Sequence, residues 1–213
     1  LFIHSATVTV FTDFSTKGNL LYKSDTGQLN VKTPLRGSPP FISWLQENND
    51  PRLDAYFTPG TTGHFGLWQG WFDAPTTVVA EQQPDVAILS PTQPVYFFSA
   101  DEVMFMVAEA NARYGSASEA QAFYEAGTNA ACERVGTDCS AMVAAGGIYE
   151  YPNGSLQENI KAIITQKWAS LVYRGYEAFW DHNRTGVPAI SSTPIIDPTN
   201  PPAVVPGEFT WSV

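Results

Sequence analysis

Tyr96-Phe-Phe-Ser-Ala-Asp-Glu-Val-Met-Phe-Met-Val-Ala-Glu-Ala-Asn-Ala-Arg-Tyr-Gly115 is the stretch from which the fold is read. Ser99 stands where a helix N-cap belongs, and Glu102, three residues on, completes the pattern of a capping box. Val103, Val107, Ala110 and Tyr114 recur at intervals of three and four, which predicts one apolar helical face. Gly115 is placed to take the left-handed conformation after the last turn. The next segment repeats the design, with Ser116 and Glu119 as a second box, Phe123, Ala126, Ala130 and Ala131 as a face, and Gly136 as the stop. Small residues on both segments (Ala108, Ala110, Ala112, then Ala122, Ala126, Ala130) predict a close antiparallel pair of the tetratricopeptide style. One pair cannot bury its own faces, so further helices must complete the stack.

Those helices are expected downstream. Ser155 and Glu158 form a third box, and Leu156, Ile160, Ile163, Ile164, Trp168 and Leu171 line a face that runs to about Tyr173 and Gly175. A short helix over Tyr176–His182 follows, ending near Gly186 with Pro188 beyond. The fold class expected is mainly α, with tetratricopeptide-like helix pairs over roughly 99–135 and 155–183, long irregular loops and little β. Residues 1–93 read as an irregular, loop-rich segment with a short strand at Ala6–Phe11, a short helix at Phe41–Gln46, and extended pieces at 78–80 and 86–89. Residues 94–186 are the helical scaffold, within which 141–147 reads as a weak helix or a loop. Residues 187–213, rich in proline, are an extended tail. The three parts are read as one domain belonging to a longer chain, since the start on Leu1-Phe-Ile-His and the finish on Thr210-Trp-Ser-Val213 both look internal.

Composition narrows the partners. At 213 residues and 44% hydrophobic content the chain has the means to build a substantial core and is not of the disordered class. Charged residues are only 15% and aromatics 13%, a balance that favours contact through rings over contact through charge. A net charge of −10 disfavours nucleic acid and anionic lipid. No run of 18 apolar residues spans a membrane as a helix.

Aromatic residues crowd one glycine-rich segment, Gly60-Thr-Thr-Gly-His-Phe-Gly-Leu-Trp-Gln-Gly-Trp-Phe-Asp73. Two readings stand. The rings anchor a loop to the core, or some of Phe65, Trp68 and Trp71 form a stacking platform on which the C–H face of a sugar ring lies, with His64, Gln69 and Asp73 taking its hydroxyls. The candidate ligand-binding residues are therefore Phe65, Trp68, Trp71, His64 and Asp73.

Other chemistry is thinner. Cys132 and Cys139 are either two separate buried thiols or a small disulfide loop at the end of the second helix, and a disulfide implies an oxidising compartment. The histidines stand apart at 4, 64 and 182, so no metal cluster is expected, and no cofactor motif is present. Asp101 and Glu102 suit a helix N-terminus. Glu177 and Asp181, spaced i,i+4 beside His182 and Arg184, have two uses. They could supply acid and base to an α-helical glycoside hydrolase, or Arg184 could pair with one of them and hold the helix end; the second is the expectation. Ser99, Glu102, Arg184, Glu177 and Asp181 are accordingly read as structural.

Several segments, in order, resemble the C-terminal half of the SusD/RagB family of outer-membrane nutrient-binding lipoproteins. They are Asn49-Asp-Pro-Arg-Leu-Asp-Ala-Tyr-Phe57, Pro94-Val-Tyr-Phe-Phe-Ser-Ala-Asp-Glu102 with Ala108-Glu-Ala110, Tyr124-Glu-Ala-Gly-Thr128, Ile164-Thr-Gln-Lys-Trp168, and Tyr176-Glu-Ala-Phe-Trp-Asp-His-Asn-Arg-Thr-Gly-Val-Pro188. The resemblance implies a largely helical protein that is not an enzyme. It also implies a protein lipid-anchored at the cell surface by a part outside this chain, which captures glycan or another nutrient for a TonB-dependent, SusC-like outer-membrane transporter. Where the family has two arginines before Thr-Gly, this chain has Asn183-Arg184, and the family's ligand site draws also on residues outside this region. The alternatives are a helical-repeat adaptor that binds protein, and the hydrolase.

Overall fold

A computed structural model describes residues 4–13, 17–26, 35–67 and 85–189. It is mainly α. The described helices are α1 (Leu20–Thr26), α2 (Pro39–Glu47), α3 (Arg52–Tyr56), α4 (Ala100–Tyr114), α5 (Ala117–Glu133), α6 (Ser140–Val143), α7 (Leu156–Ser170) and α8 (Gly175–Thr185). Two short antiparallel pairings accompany them: β1 (Ala6–Val8) with β4 (Val95–Phe98), and β2 (Phe57–Thr58) with β3 (Val86–Ala87). The expected segment at 78–80 and residues 190–213 of the tail lie outside the described residues.

α7 is the spine. Ile160, Ile163 and Ile164 face α4 and α5, joining Phe105, Ala108, Ala120 and Tyr124 in one core. Trp168, Ala169 and Leu171 belong to a second core with Phe41, Ile42, Leu45, Leu53 and Tyr56 of α2 and α3. Trp44 borders both cores and stacks on Tyr149 with ring centroids 5.5 Å apart. Gly127 lets α5 approach α4 closely, because a Cβ there would meet the Phe105 ring at 3.0 Å. The complete capping box at the start of α7 is present: Glu158 N–H donates to Ser155 Oγ at 3.3 Å, and Ser155 N–H donates to the Glu158 carboxylate at 2.7 Å.

The apolar face expected on α4 is corrected. Ala110 is exposed and Tyr114 is 89% exposed, while Asp101, Glu102, Phe105, Ala108 and Glu109 are buried. Hydrophobicity located the wrong side because the inward stripe carries carboxylates that find cationic partners. For the same reason the box expected at Ser99 does not form. Ser99 Oγ and the Glu102 carboxylate are both taken by the Arg174 guanidinium, at 3.0 and 2.6 Å. Gly115 is not left-handed either; at φ −117° it leads straight into Ser116, which caps α5 by accepting from Glu119 N–H. On α5 the buried stripe is Ala120, Tyr124, Thr128 and Ala131, with Phe123 at its edge and Ala126 exposed. On α7, Leu156 is exposed at 47%, and the helix stops at Ser170, short of the expected Tyr173.

Candidate functional site

The aromatic segment leaves the scaffold through residues 60–67 and returns at Asp85. Its two ends meet. Asp85 N–H donates to Phe65 O at 2.9 Å, and Phe65 N–H donates to Asp85 Oδ1 at 3.1 Å. Both ends lie against residues 35–37: Leu67 N–H reaches Gly37 O at 2.9 Å, Gly37 N–H reaches Asp85 O at 3.0 Å, and Ala87 N–H reaches Leu35 O at 2.8 Å. Gly66 is needed here for room, since a Cβ would fall 2.3 Å from Pro39 N at the start of α2.

His64 locks this junction. Its Nδ1 lies 2.5 Å from the fully buried Asp85 carboxylate, and its Nε2 lies 2.9 Å from Asp54 on α3. Burial works against the imidazolium, but the two carboxylates outweigh it and raise the His64 pKa. Both ring nitrogens are thereby engaged by carboxylates. Phe65 is half-buried beside it. Trp68, Trp71 and Asp73 lie outside the described residues.

Glu102, Asp181 and Arg184, among the residues read as structural, belong to a chain of ion pairs joining α4, α7 and α8. Arg113 Nε is 2.8 Å from Glu109 Oε1. Arg184 forks onto Glu109, with Nη2 2.7 Å from Oε2, and also meets Asp181 at 2.7 Å. Lys167 Nζ is 2.8 Å from the other Asp181 oxygen and 3.9 Å from Glu102, and Glu102 passes to Arg174 at 2.6 Å. Arg134 joins from the end of α5, reaching both Asp101 oxygens and Ser170 O at 2.8 Å. Arg184 thus pairs with Asp181, as one branch of the local expectation has it, while Glu177 takes no part in the described chain. Both Asp181 oxygens are thus engaged, one by Lys167 and the other by Arg184. A second buried cluster ties α3 to α7: Arg52 meets Asp50 at 2.6 Å and Gln166 at 2.8 Å, and Tyr149 Oη donates to Asp50 at 2.7 Å.

Ten of the quoted motif residues belong to these two clusters. Asp50, Arg52, Ser99, Asp101, Glu102, Glu109, Gln166, Lys167 and Asp181 are polar or charged groups buried between helices, and Arg184 is the exposed member. Cys132 and Cys139 are bonded to each other, and the loop they close contains Arg134. Among the described residues no group of three or more His, Cys, Asp or Glu side chains is arranged to hold a metal.

A groove of about 370 Å³ opens where several loops converge. Tyr56 of α3, Ile88, Gln93, Tyr96, Arg134 and Tyr173 are among the residues that line it. Tyr173 Oη donates to Ile88 O at 3.0 Å, and the Arg134 guanidinium lies over the Tyr96 ring at 5.4 Å. Sequence reading missed this groove because its walls come from segments far apart in the chain. The turn-forming run Ser90-Pro-Thr-Gln-Pro94 was its one local sign. Elsewhere, α8 turns Tyr176, Phe179 and Trp180 outward, at 82%, 55% and 65% exposure.

The family model described as "Starch-binding associating with outer membrane", SusD-like, matches residues 4–211. A SusD homolog from Bacteroides uniformis is similar at 25% identity and a TM-score of 0.69, covering 87% of this chain and 44% of that one. Another from Bacteroides thetaiotaomicron is 26% identical with a TM-score of 0.61, covering 72% and 38%. A chitin-binding SusD homolog from Flavobacterium johnsoniae shares the fold at 22% identity and a TM-score of 0.67, covering 87% and 42%. The chain therefore spans less than half the length of these structures. No curated protein sequence matches the chain.

Proposed function

The chain belongs to the SusD-like family, and on that premise we propose that it is part of a non-catalytic, cell-surface glycan-binding protein of the outer membrane. The observation that carries this reading is the family match across residues 4–211. Lipid anchoring by a part of the protein outside this sequence, and hand-over of the captured glycan to a TonB-dependent, SusC-like transporter, complete the proposal. The ligand contacts are assigned to Phe65, Trp68, Trp71 and Asp73, with His64 setting where their segment leaves the scaffold. The disulfide at Cys132–Cys139 accords with an oxidising compartment.

The test is calorimetry of the full-length protein against an oligosaccharide panel that includes maltoheptaose and chitohexaose, with assay for released sugar. Binding without release is expected. Trp68→Ala and Trp71→Ala should each weaken binding by about 2- to 10-fold, the range for one aromatic contact. A panel without a binder sinks the proposal, and sugar release abolished by Glu177→Gln would favour the hydrolase. The outward face of α8 favours a protein-binding role beside the first. Under an adaptor-only reading, Tyr176→Ser with Trp180→Ser costs partner binding and the Trp68 and Trp71 variants do not touch any small ligand.

A further inference from the structure

The groove between Tyr56, Ile88, Gln93, Tyr96, Arg134 and Tyr173 belongs neither to the His64 clasp nor to the framework charge clusters alone. Its size falls in the range of about 300–1,000 Å³ typical of small-ligand sites. Tyrosine rings and aliphatic side chains (Ile88, Val135, Val172) make its walls apolar. The rim is polar. Ser90 Oγ and Thr92 Oγ1 lie 3.0 Å apart, and Gln93 turns its side-chain oxygen to Ser90 N–H at 3.4 Å, leaving the amide nitrogen without a partner among the described residues.

Arg134 is the one charged residue among the described residues that line the groove. Asp101 takes Nε and Nη2, and Ser170 O takes Nη2 again, so Nη1 is the guanidinium nitrogen with no described partner. Its charge is answered within the scaffold before any ligand arrives. An anion would compete with Asp101, whereas a neutral polyol needs only the open N–H. We infer that this groove is a second sugar subsite. The C–H face of a neutral pyranose lies on the Tyr96 and Tyr173 side, and its hydroxyls meet Arg134 Nη1, Gln93 and the Ser90–Thr92 pair. This assignment rests on the glycan-binding reading and adds a contact region outside the aromatic segment. The Cys132–Cys139 bond has a role in it, because it closes the loop that presents Arg134 and Val135.

The experiment uses the full-length protein with maltoheptaose and chitohexaose as probes. Calorimetry compares wild type with the rim variant Thr92→Ala/Gln93→Ala, which keeps the Gln93 carbonyl that accepts from Asn19. Hydrogen exchange follows amides 88–96 and 132–139 with and without probe. The probe that binds wild type should lose about threefold or more in affinity to the rim variant, in line with one or two lost hydrogen bonds, and should protect both segments. Binding that changes less than threefold, or leaves both segments unprotected, overturns the subsite and leaves the glycan-binding reading in place. A wild-type protein that binds neither probe overturns the subsite, and one that binds no other sugar of the panel overturns the glycan-binding reading with it.

Discussion

Arg184 on α8 and Glu109 on α4 face each other as a forked pair, 75 residues apart in sequence, with Nη2 2.7 Å from Oε2. Glu109 is 7% exposed and serves Arg113 as well, so one carboxylate answers two guanidinium groups. Glu109→Ala strands Arg113 and leaves Arg184 with Asp181 alone. The expected loss is about 1–3 kcal/mol, below the 3–5 of a fully buried pair because Arg184 is half open to water. Burial pushes the Glu109 carboxyl up, yet its bonds to Arg184 and Arg113 outweigh that and hold it below the usual range. A depressed carboxylate contributes stability above its unfolded pKa and loses it as pH falls through the folded value. Urea denaturation from pH 6 to pH 3 should therefore show a steeper decline for wild type than for Glu109→Ala.

Arg52 is the fully enclosed counterpart. It is 0% exposed, paired with Asp50, bonded to Gln166, and flanked by the Trp44 and Tyr149 rings at 6.0 and 5.9 Å. Arg52→Ala leaves Asp50 buried and uncompensated, and should cost about 3–5 kcal/mol in chemical denaturation. A loss under 1 kcal/mol would mean that the cluster relaxes or hydrates freely.

His64 predicts the opposite pH dependence. A raised histidine pKa means that the clasp is complete below about pH 6.5 and weakens as pH climbs through the folded value. Amides 63–67 and 85 should exchange faster at pH 8.5 than at pH 6 once intrinsic rates are corrected, and His64→Gln should remove that difference. Equal corrected rates in wild type would count against the clasp.

Reduction of Cys132–Cys139 opens a loop with a sequence separation of 7. A short loop gains less from closure than a long one, and the expected loss is about 2 kcal/mol. Thermal unfolding with and without dithiothreitol measures it, with Cys132→Ser/Cys139→Ser as the control that should no longer respond.

How far the sequence carried depended on what each element hides. α7 was legible because Ile160, Ile163, Ile164 and Trp168 mark its buried side, even though Gln166 and Lys167 are buried with them, and its first turn carries the complete Ser155–Glu158 box. α4 misled because its inward side holds Asp101, Glu102 and Glu109, whose partners Arg134, Arg174 and Arg184 come from distant segments. Periodicity sees only the chain it runs along. The pairing of Arg184 with Asp181 lay within reach, three residues apart on one helix, whereas the fork to Glu109 required the tertiary structure. His64 was legible as polar but not as occupied, since Asp85 and Asp54 stand 21 and 10 residues away. The groove had the turn-forming run Ser90–Pro94 as its single local sign.

The meeting of Phe65 with Asp85 gives the aromatic segment a single address on the scaffold. Whatever lies between them departs from and returns to the same point, fastened by α2, α3 and residues 35–37. The fastening itself is made by residues that flank the interval, His64 to Leu67 on one side and Asp85 on the other, held against Leu35 to Gly37. A grafting experiment on this protein would cut between those two flanks.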